Sequence, residues 1–521
     1  MDLKQQLIHR KYKKCEAENQ ITIGDDYSVP EGKPDIAFIL QKKADLMVEE
    51  VHTEKGKIRL RGNLKVQILY LAQRSEEMAD CLNVQIPFDE ILYMENASSG
   101  DNLKIDWCVE ELKVSLVHPG KISIRAVVSL KGEITASLSH LISEGVEDDA
   151  GVQLQRESMT VAEPVLERKD SFRIRDEISL PANKPNVQKV LWKDLQLRNL
   201  DVRNEEGHLA IKGEVLLLFI YVGEEGGGVM WFEQTIPVQG TLEMTGLTEE
   251  MFGLWEKEVT HQEIEVKPDY DGELRSISLE MVLEIHGCAF EERTFQALTD
   301  VYSTKEQLKL QREPVTYERL RMCSEAKLRL NTKEQLEDEE TVLQILGHHA
   351  QLKNKRASMQ EQGILCEGVL EVQVLYVTAE DEKPFGTAVL SVPYSQVIEI
   401  PGILPTDSWR VCESIDQLSI SMSDSHSVEI RGVLLFGACV MQQCSIDNIV
   451  GITGEAYAPE EYQKMPGVKI HFVQNGETLW NIAKTNRTTM EEIRQLNDLN
   501  AEEVTAGQKL LLVKNMMESM I

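Results

Sequence analysis

Basic charge is what this sequence of 521 residues has too little of: 55 lysines and arginines stand against 87 aspartates and glutamates, a formal net charge of −32. A surface of that sign repels phosphate backbones, anionic lipid and wall polymers, which excludes nucleic acid as an electrostatic partner. Long apolar runs are also lacking. The longest, Val215–Val222, has eight residues, far short of the roughly 20 that span a bilayer, so no direct membrane insertion is expected. The opening stretch MDLKQQLIHRKYKKCEAENQ has basic residues with no apolar segment behind them and does not read as a signal peptide. Cysteines number nine, an odd count without CxxC spacing, which fits reduced, mostly buried thiols better than a disulfide frame.

The marks of catalysis and of cofactor binding are missing too. The glycine-rich run Gly223–Gly228 lacks the GK[ST] ending of a phosphate loop and reads as a hairpin turn. His348 and His349 are neighbours, so they do not face the same way, and no acid or thiol at helical spacing completes a metal site. Cys439 and Cys444 beside Gly437 read as core packing, and the acid pairs Glu224-Glu225, Glu339-Glu340 and Glu460-Glu461 as solvated faces. No enzyme, metal or cofactor is expected.

What is present is repetition. GNLKVQILY from Gly62 to Tyr70, GEVLLLFIY from Gly213 to Tyr221 and GVLEVQVLY from Gly368 to Tyr376 share one pattern, with a proline 25, 24 and 25 residues after each glycine (Pro87, Pro237, Pro393). Upstream, Pro34 and Pro185 each precede their glycine by 28 residues, where the third copy has Glu340. In the first copy Leu64, Val66 and Ile68 alternate with Asn63, Lys65 and Gln67, one buried and one wet strand face; Val215–Ile220 is apolar on both faces and reads as a more central strand. Later strands are expected at 121–128, 276–285 and 427–433, and a short helical piece at 34–41. The connecting stretches 137–171 and 291–325 share LQRE at Leu154 and Leu310, so they belong to the repeat unit.

The last part, 467–515, reads as a separate β-α-α-β unit: a strand at 469–473, a turn at Asn475-Gly476, a helix capped by Thr478, a second helix with a Thr489/Glu492 capping box, and a closing strand at 510–513. The division expected from sequence is an N-terminal segment 1–20, repeats with their connectors at 21–171 and 172–325, a third repeat at 326–444, a linker at 445–466 and the small domain at 467–515. The fold class is multidomain and mainly β.

Gly476, Thr478-Leu479-Trp480, Ile482-Ala483, Leu496-Asn497 and Gly507-Gln508-Lys509-Leu510 make this last unit resemble a LysM domain along its whole length. The resemblance implies a shallow groove for N-acetylglucosamine polymers between two loops, carried here by Gly476, Glu477, Thr478, Leu479 and Trp480 on one side. On the other side stand Leu499, Asn500 and Ala501, continuing to Gly507. Glu477 stands where Asp is usual, and Ala506 replaces the usual Pro before Gly507. The three repeats, through KPDI at Lys33, the glycine-to-tyrosine strand and the IPF segment at Ile86, resemble the SPOCS domain of endospore-forming bacteria. Three such copies ahead of one LysM domain imply a spore-coat morphogenetic adaptor. The resemblance further implies action in the mother-cell cytoplasm at the forespore surface, with the coat-basement ATPase SpoIVA as the expected partner. The alternative is a carrier of peptidoglycan oligomers.

Overall fold

The computed structural model describes residues 1–73, 78–148, 151–224, 228–336, 341–380, 384–457 and 466–513. Strand alternation in the repeated motif puts it in the middle of a three-stranded antiparallel sheet. In the first copy β2 (Ile36–Glu54), β3 (Lys57–Ala72) and β4 (Ala79–Tyr93) lie in the order β2-β3-β4. A second sheet, β1-β6-β5, is made by β1 (Leu3–Ser28), β5 (Asn102–His118) and β6 (Lys121–Val146). Leu60, Leu64, Val66 and Ile68 of β3 meet Ile122, Ile124, Ala126 and Val128 of β6 in one core.

The second copy repeats this plan with β7 (Val152–Ser179), β8 (Val187–Glu205), β9 (His208–Gly223), β10 (Val229–Glu243), β11 (Phe252–Pro268) and β12 (Leu274–Ser303). The third does so with β13 (Glu306–Gln335), β14 (Val342–Gln360), β15 (Gly363–Thr378), β16 (Phe385–Glu399), β17 (Ser408–Asp424) and β18 (Ser427–Ala456). The fold class expected from sequence is the one observed: repeated antiparallel β domains, then a small βααβ unit.

The motif residues have local reasons. A Cβ on Gly62 would lie 1.9 Å from the Met47 carbonyl oxygen; at Gly213 and Gly368 it would lie 3.2 Å from that of Arg198 and 3.0 Å from that of Lys353. In each copy the glycine thus admits a carbonyl of the neighbouring strand beside a register shift, at Val48/Glu50, Arg198/Asp201 and Lys353/Arg356. The motif tyrosine is buried, and the Tyr70 and Tyr221 hydroxyls each donate at 3.0 Å to the carbonyls of Pro34 and Pro185, the prolines of the upstream mark.

Four expectations need correction. Residues 36–41 are strand, not helix. Register shifts at Ile36/Phe38 and Ile39/Gln41 break the period of two, so Ile36, Ile39 and Leu40 fall at helix-like spacing while facing two different cores. The same double shift recurs in β8 and β14. The segment 1–20 is not set apart: it is most of β1, paired with β6 from Leu3↔Val146 to Ser28↔Lys121. The repeat boundaries at 171 and 325 fall inside β7 and β13, because each copy opens with a long strand that the motif search credits to the copy before it. The expected linker 445–466 is strand as far as Ala456; its remainder at 458–465, like residues 225–227 of the expected glycine-rich turn, lies outside the described residues.

The three copies close around a common point. Leu40, Leu191 and Leu346 each stand 22 residues before their motif glycine. With Leu69, Ile220 and Leu375 and with Ala79, Val229 and Phe385, two further equivalent sets, they form one apolar junction. That is why β9 is apolar on both faces: Leu217 and Phe219 enter the core of their own copy, Leu218 and Ile220 the junction. Ion pairs surround it. Asp194 of copy two accepts from Lys43 of copy one at 2.8 Å and pairs with His349 Nδ1 of copy three at 2.8 Å, and Asp80 of copy one holds Lys189 of copy two at 2.9 Å. His348 and His349, read as unremarkable neighbours in sequence, are thus both used between copies, His348 Nε2 lying 3.0 Å from Arg198.

Beyond the junction the strand pairs β1/β6, β7/β12 and β13/β18 run on together as a stalk, since their strands have 26 to 30 residues. Ile8, Ile142, Met159, Phe295 and Val315 pack there, then Val146, Val152, Val301, Ile449 and Ile452 nearer the tip. Each pair carries a one-residue bulge near its tip, at Glu144, Thr299 and Val450.

Candidate functional site

The small domain folds as its sequence signals direct. Strand β19 (Val468–Phe472) pairs with β20 (Lys509–Val513), and two helices, α1 (Leu479–Asn486) and α2 (Met490–Leu496), lie between them. The Thr478 hydroxyl accepts from Asn481 N at 3.2 Å to cap α1. At α2 the capping box is complete: Glu492 N donates to Thr489 Oγ1 at 3.1 Å and Thr489 N to the Glu492 carboxylate at 3.0 Å. Gly476 and Gly507 turn the two loops at φ 84 and 85, where a side chain would be strained.

The loop residues named from sequence separate into two groups. Gly476, Thr478, Asn500 and Ala501 are exposed, and Glu477 is half-buried; its carboxylate accepts from Gln474 N at 2.7 Å and faces His471 Nε2 at 2.9 Å. Those contacts hold the Glu477 carboxyl below its ordinary pKa and brace the first loop. Leu479 and Trp480 are inside, at 1% and 5% exposure, and Leu499 packs half-buried against the same core. Leu479 and Trp480, expected among the groove residues, thus belong to the core instead. As the second residue of α1, in register with Ala483, Trp480 shares the face that the domain buries.

Trp480 has a second employment that the sequence did not announce. Its Nε1 donates at 2.8 Å to Asp300 of β12, at the tip of the stalk. Lys484, one turn along α1, donates to both Asp300 oxygens at 2.8 and 2.7 Å. Tyr302 stands edge-on to the Trp480 ring at 4.9 Å, is itself part of the small domain's core, and donates from its hydroxyl to the Thr488 carbonyl at 2.9 Å. The Arg487 guanidinium lies 3.6 Å over the ring of Tyr457. Burial alone would raise the Asp300 pKa; the bonds from Lys484 and Trp480 outweigh it and hold the carboxyl below its ordinary value.

The seat is unique to copy two. Asp300 directly follows the Thr299 bulge, and the residues directly following the equivalent bulges at Glu144 and Val450 are Gly145 and Gly451. The signal that could have found it was this one: an acid where the other two copies have glycine.

On its outer side the domain leaves β19 uncovered. Val468, Ile470 and Phe472 occupy alternate positions at 61%, 59% and 51% exposure, and Val513, register partner of Val468, extends the same face at 43%. Among the described residues no group of three or more His, Cys, Asp and Glu is arranged to hold a metal ion, and no helix is long and apolar enough to cross a membrane.

The family model described as SipL, SPOCS domain matches residues 35–117, 186–267 and 341–423, and the LysM domain model matches 471–513. Each SPOCS match covers the second to fifth strands of its copy, leaving out the long first and sixth strands that build the stalk. A probable endopeptidase p60 of Listeria grayi is 33% identical to the chain over 72 residues; the chain covers 14% of that relative's length. No solved structure matches. SPOCS and LysM are non-catalytic binding modules, the first associated with sporulation and the second with peptidoglycan-type polymers of N-acetylglucosamine. The chain is built of three SPOCS domains of the SipL family followed by one LysM domain.

Proposed function

We propose that the chain is a non-enzymatic spore-coat morphogenetic adaptor that binds the coat-basement ATPase SpoIVA through its LysM domain and helps assemble the coat. It works in the mother-cell cytoplasm, at the forespore surface. The observation that carries this reading is the uncovered apolar face of β19 and β20. Val468, Ile470, Phe472 and Val513 make a flat hydrophobic strip on a domain otherwise well buried, the kind of surface a protein partner covers. The SPOCS body supplies a rigid acidic support and no chemistry of its own.

The test is association of the full-length chain with purified SpoIVA. Ile470→Asp or Phe472→Asp is expected to weaken it by about 2 kcal/mol or more, roughly thirtyfold. Unchanged association of a folded variant rejects this surface. Glycan binding is the second reading, favoured by one observation: Gly476, Thr478, Asn500 and Ala501 stay exposed while α1 is docked on the stalk. A single LysM groove gains nothing from multivalency, so titration with N-acetylglucosamine oligomers is expected to show feeble binding. Tight binding that survives Phe472→Asp and is lost in Asn500→Ala makes the groove the functional surface instead.

A further inference from the structure

We propose that Cys323 and Cys439 are an oxidation site that closes into a cross-strand disulfide and clamps the first strand of the third SPOCS copy to its last. The two residues are register partners in the β13–β18 ladder, and their Sγ atoms lie 2.9 Å apart. Directly opposed residues of an antiparallel pair have Cα atoms about 4.5–5.5 Å apart, inside the range of about 4.4–6.8 Å that a disulfide spans, so the bond forms without moving the backbone. Cys323 is exposed and open to a small oxidant, whereas Cys439 is buried beside it. The pair is peculiar to this copy: at the equivalent places Glu16 faces Glu133 and Glu167 faces Cys288. Its setting matters as well. Arg410 of β17, the other register partner of Cys439, reaches Glu133 of copy one at 2.8 Å and Glu256 of copy two at 3.6 Å, so the clamp lies next to a contact among all three copies.

The oxidant class is a hydroperoxide. The Cys323 thiolate attacks the peroxide oxygen, giving a sulfenic acid as the O–O bond breaks and releases water. The Cys439 sulfur then displaces the hydroxyl from the Cys323 sulfur, the S–S bond forms, and the thiol proton leaves with the hydroxyl as a second water. Two thiols and one hydrogen peroxide give one disulfide and two waters. The competitor is Cys412, which is exposed and sits opposite Gly437, two residues from Cys439 on the same strand face.

The experiment treats the folded full-length protein with hydrogen peroxide, alkylates the remaining thiols and maps the digest by mass spectrometry before and after dithiothreitol. The expected result is a 323–439 peptide pair two hydrogens lighter than its reduced parts, leaving seven of the nine cysteines alkylated. Dithiothreitol should reverse it, and the oxidised protein should melt at a higher temperature than the reduced. Cys412→Ser should leave the link intact, and Cys323→Ser should leave Cys439 alkylatable. Nine alkylated cysteines, Cys323 carried only to sulfinic acid, or a 412–439 link would each overturn the proposal.

Discussion

At the scale of single residues, Trp480 and Asp300 divide two roles. Trp480 fills the LysM core and also donates to Asp300; Asp300 lies outside that core and joins Trp480 and Lys484 to Arg312 of the third copy. Trp480→Ala is therefore expected to cost the LysM domain about 3–5 kcal/mol, read as a fall in its unfolding transition by calorimetry. Asp300→Ala should leave that transition close to wild type yet speed amide exchange in α1 and in 298–303. An exchange pattern unchanged by Asp300→Ala would show that Tyr302 and Arg487 suffice. Acid should act like the aspartate variant. A carboxyl whose folded pKa is depressed contributes stability above its unfolded value of about 3.9 and loses it as pH falls through the folded value. Exchange protection of α1 should thus fall below about pH 4 in the wild type and be flat there in Asp300→Asn. Asp194, fully buried against Lys43 and His349, is held well below the ordinary range because those two partners outweigh its burial. Asp194→Ala removes the buried partner of Lys43 and leaves it only the exposed Asp45 at 3.6 Å; it should cost about 3 kcal/mol of global stability by denaturant unfolding.

Among the elements, the bulged strands show both what the sequence discloses and what it hides. The β3-type strand was legible because its period of two is unbroken from Leu60 to Ile68, and the capping box of α2 because both partners lie within four residues. The β2-type strand was not, since two register shifts in six residues imitate a helix. Long-range pairing was also out of reach: nothing near Lys11 in the chain announces that Ser137 lies across from it. The docking role of the Trp480 side chain is hidden for a related reason, as its acceptor lies 180 residues away. Gly62 gives the sharpest check on the strand geometry. Gly62→Ala would force a Cβ to 1.9 Å from the Met47 carbonyl oxygen, so the backbone must move. A loss of about 1–3 kcal/mol by denaturant unfolding is expected, with a smaller loss for Gly213→Ala, where the same contact is 3.2 Å.

For the whole molecule, the junction at Leu40, Leu191 and Leu346 makes the three copies one cooperative unit. Removing residues 305–457 would expose the partners of Leu346, Leu375 and Phe385 together with one side of the stalk. The remaining two copies are expected to aggregate or melt well below the intact body, as followed by gel filtration and calorimetry; a stable two-copy fragment would show that the junction contributes little. A single chain also does something that three identical subunits cannot. In a symmetric trimer every residue is written three times over, so an aspartate after one bulge is an aspartate after all of them. Here the position reads Gly145, Asp300, Gly451. Joining the copies end to end gave each bulge its own codon, and with it the means for a threefold body to point in one direction.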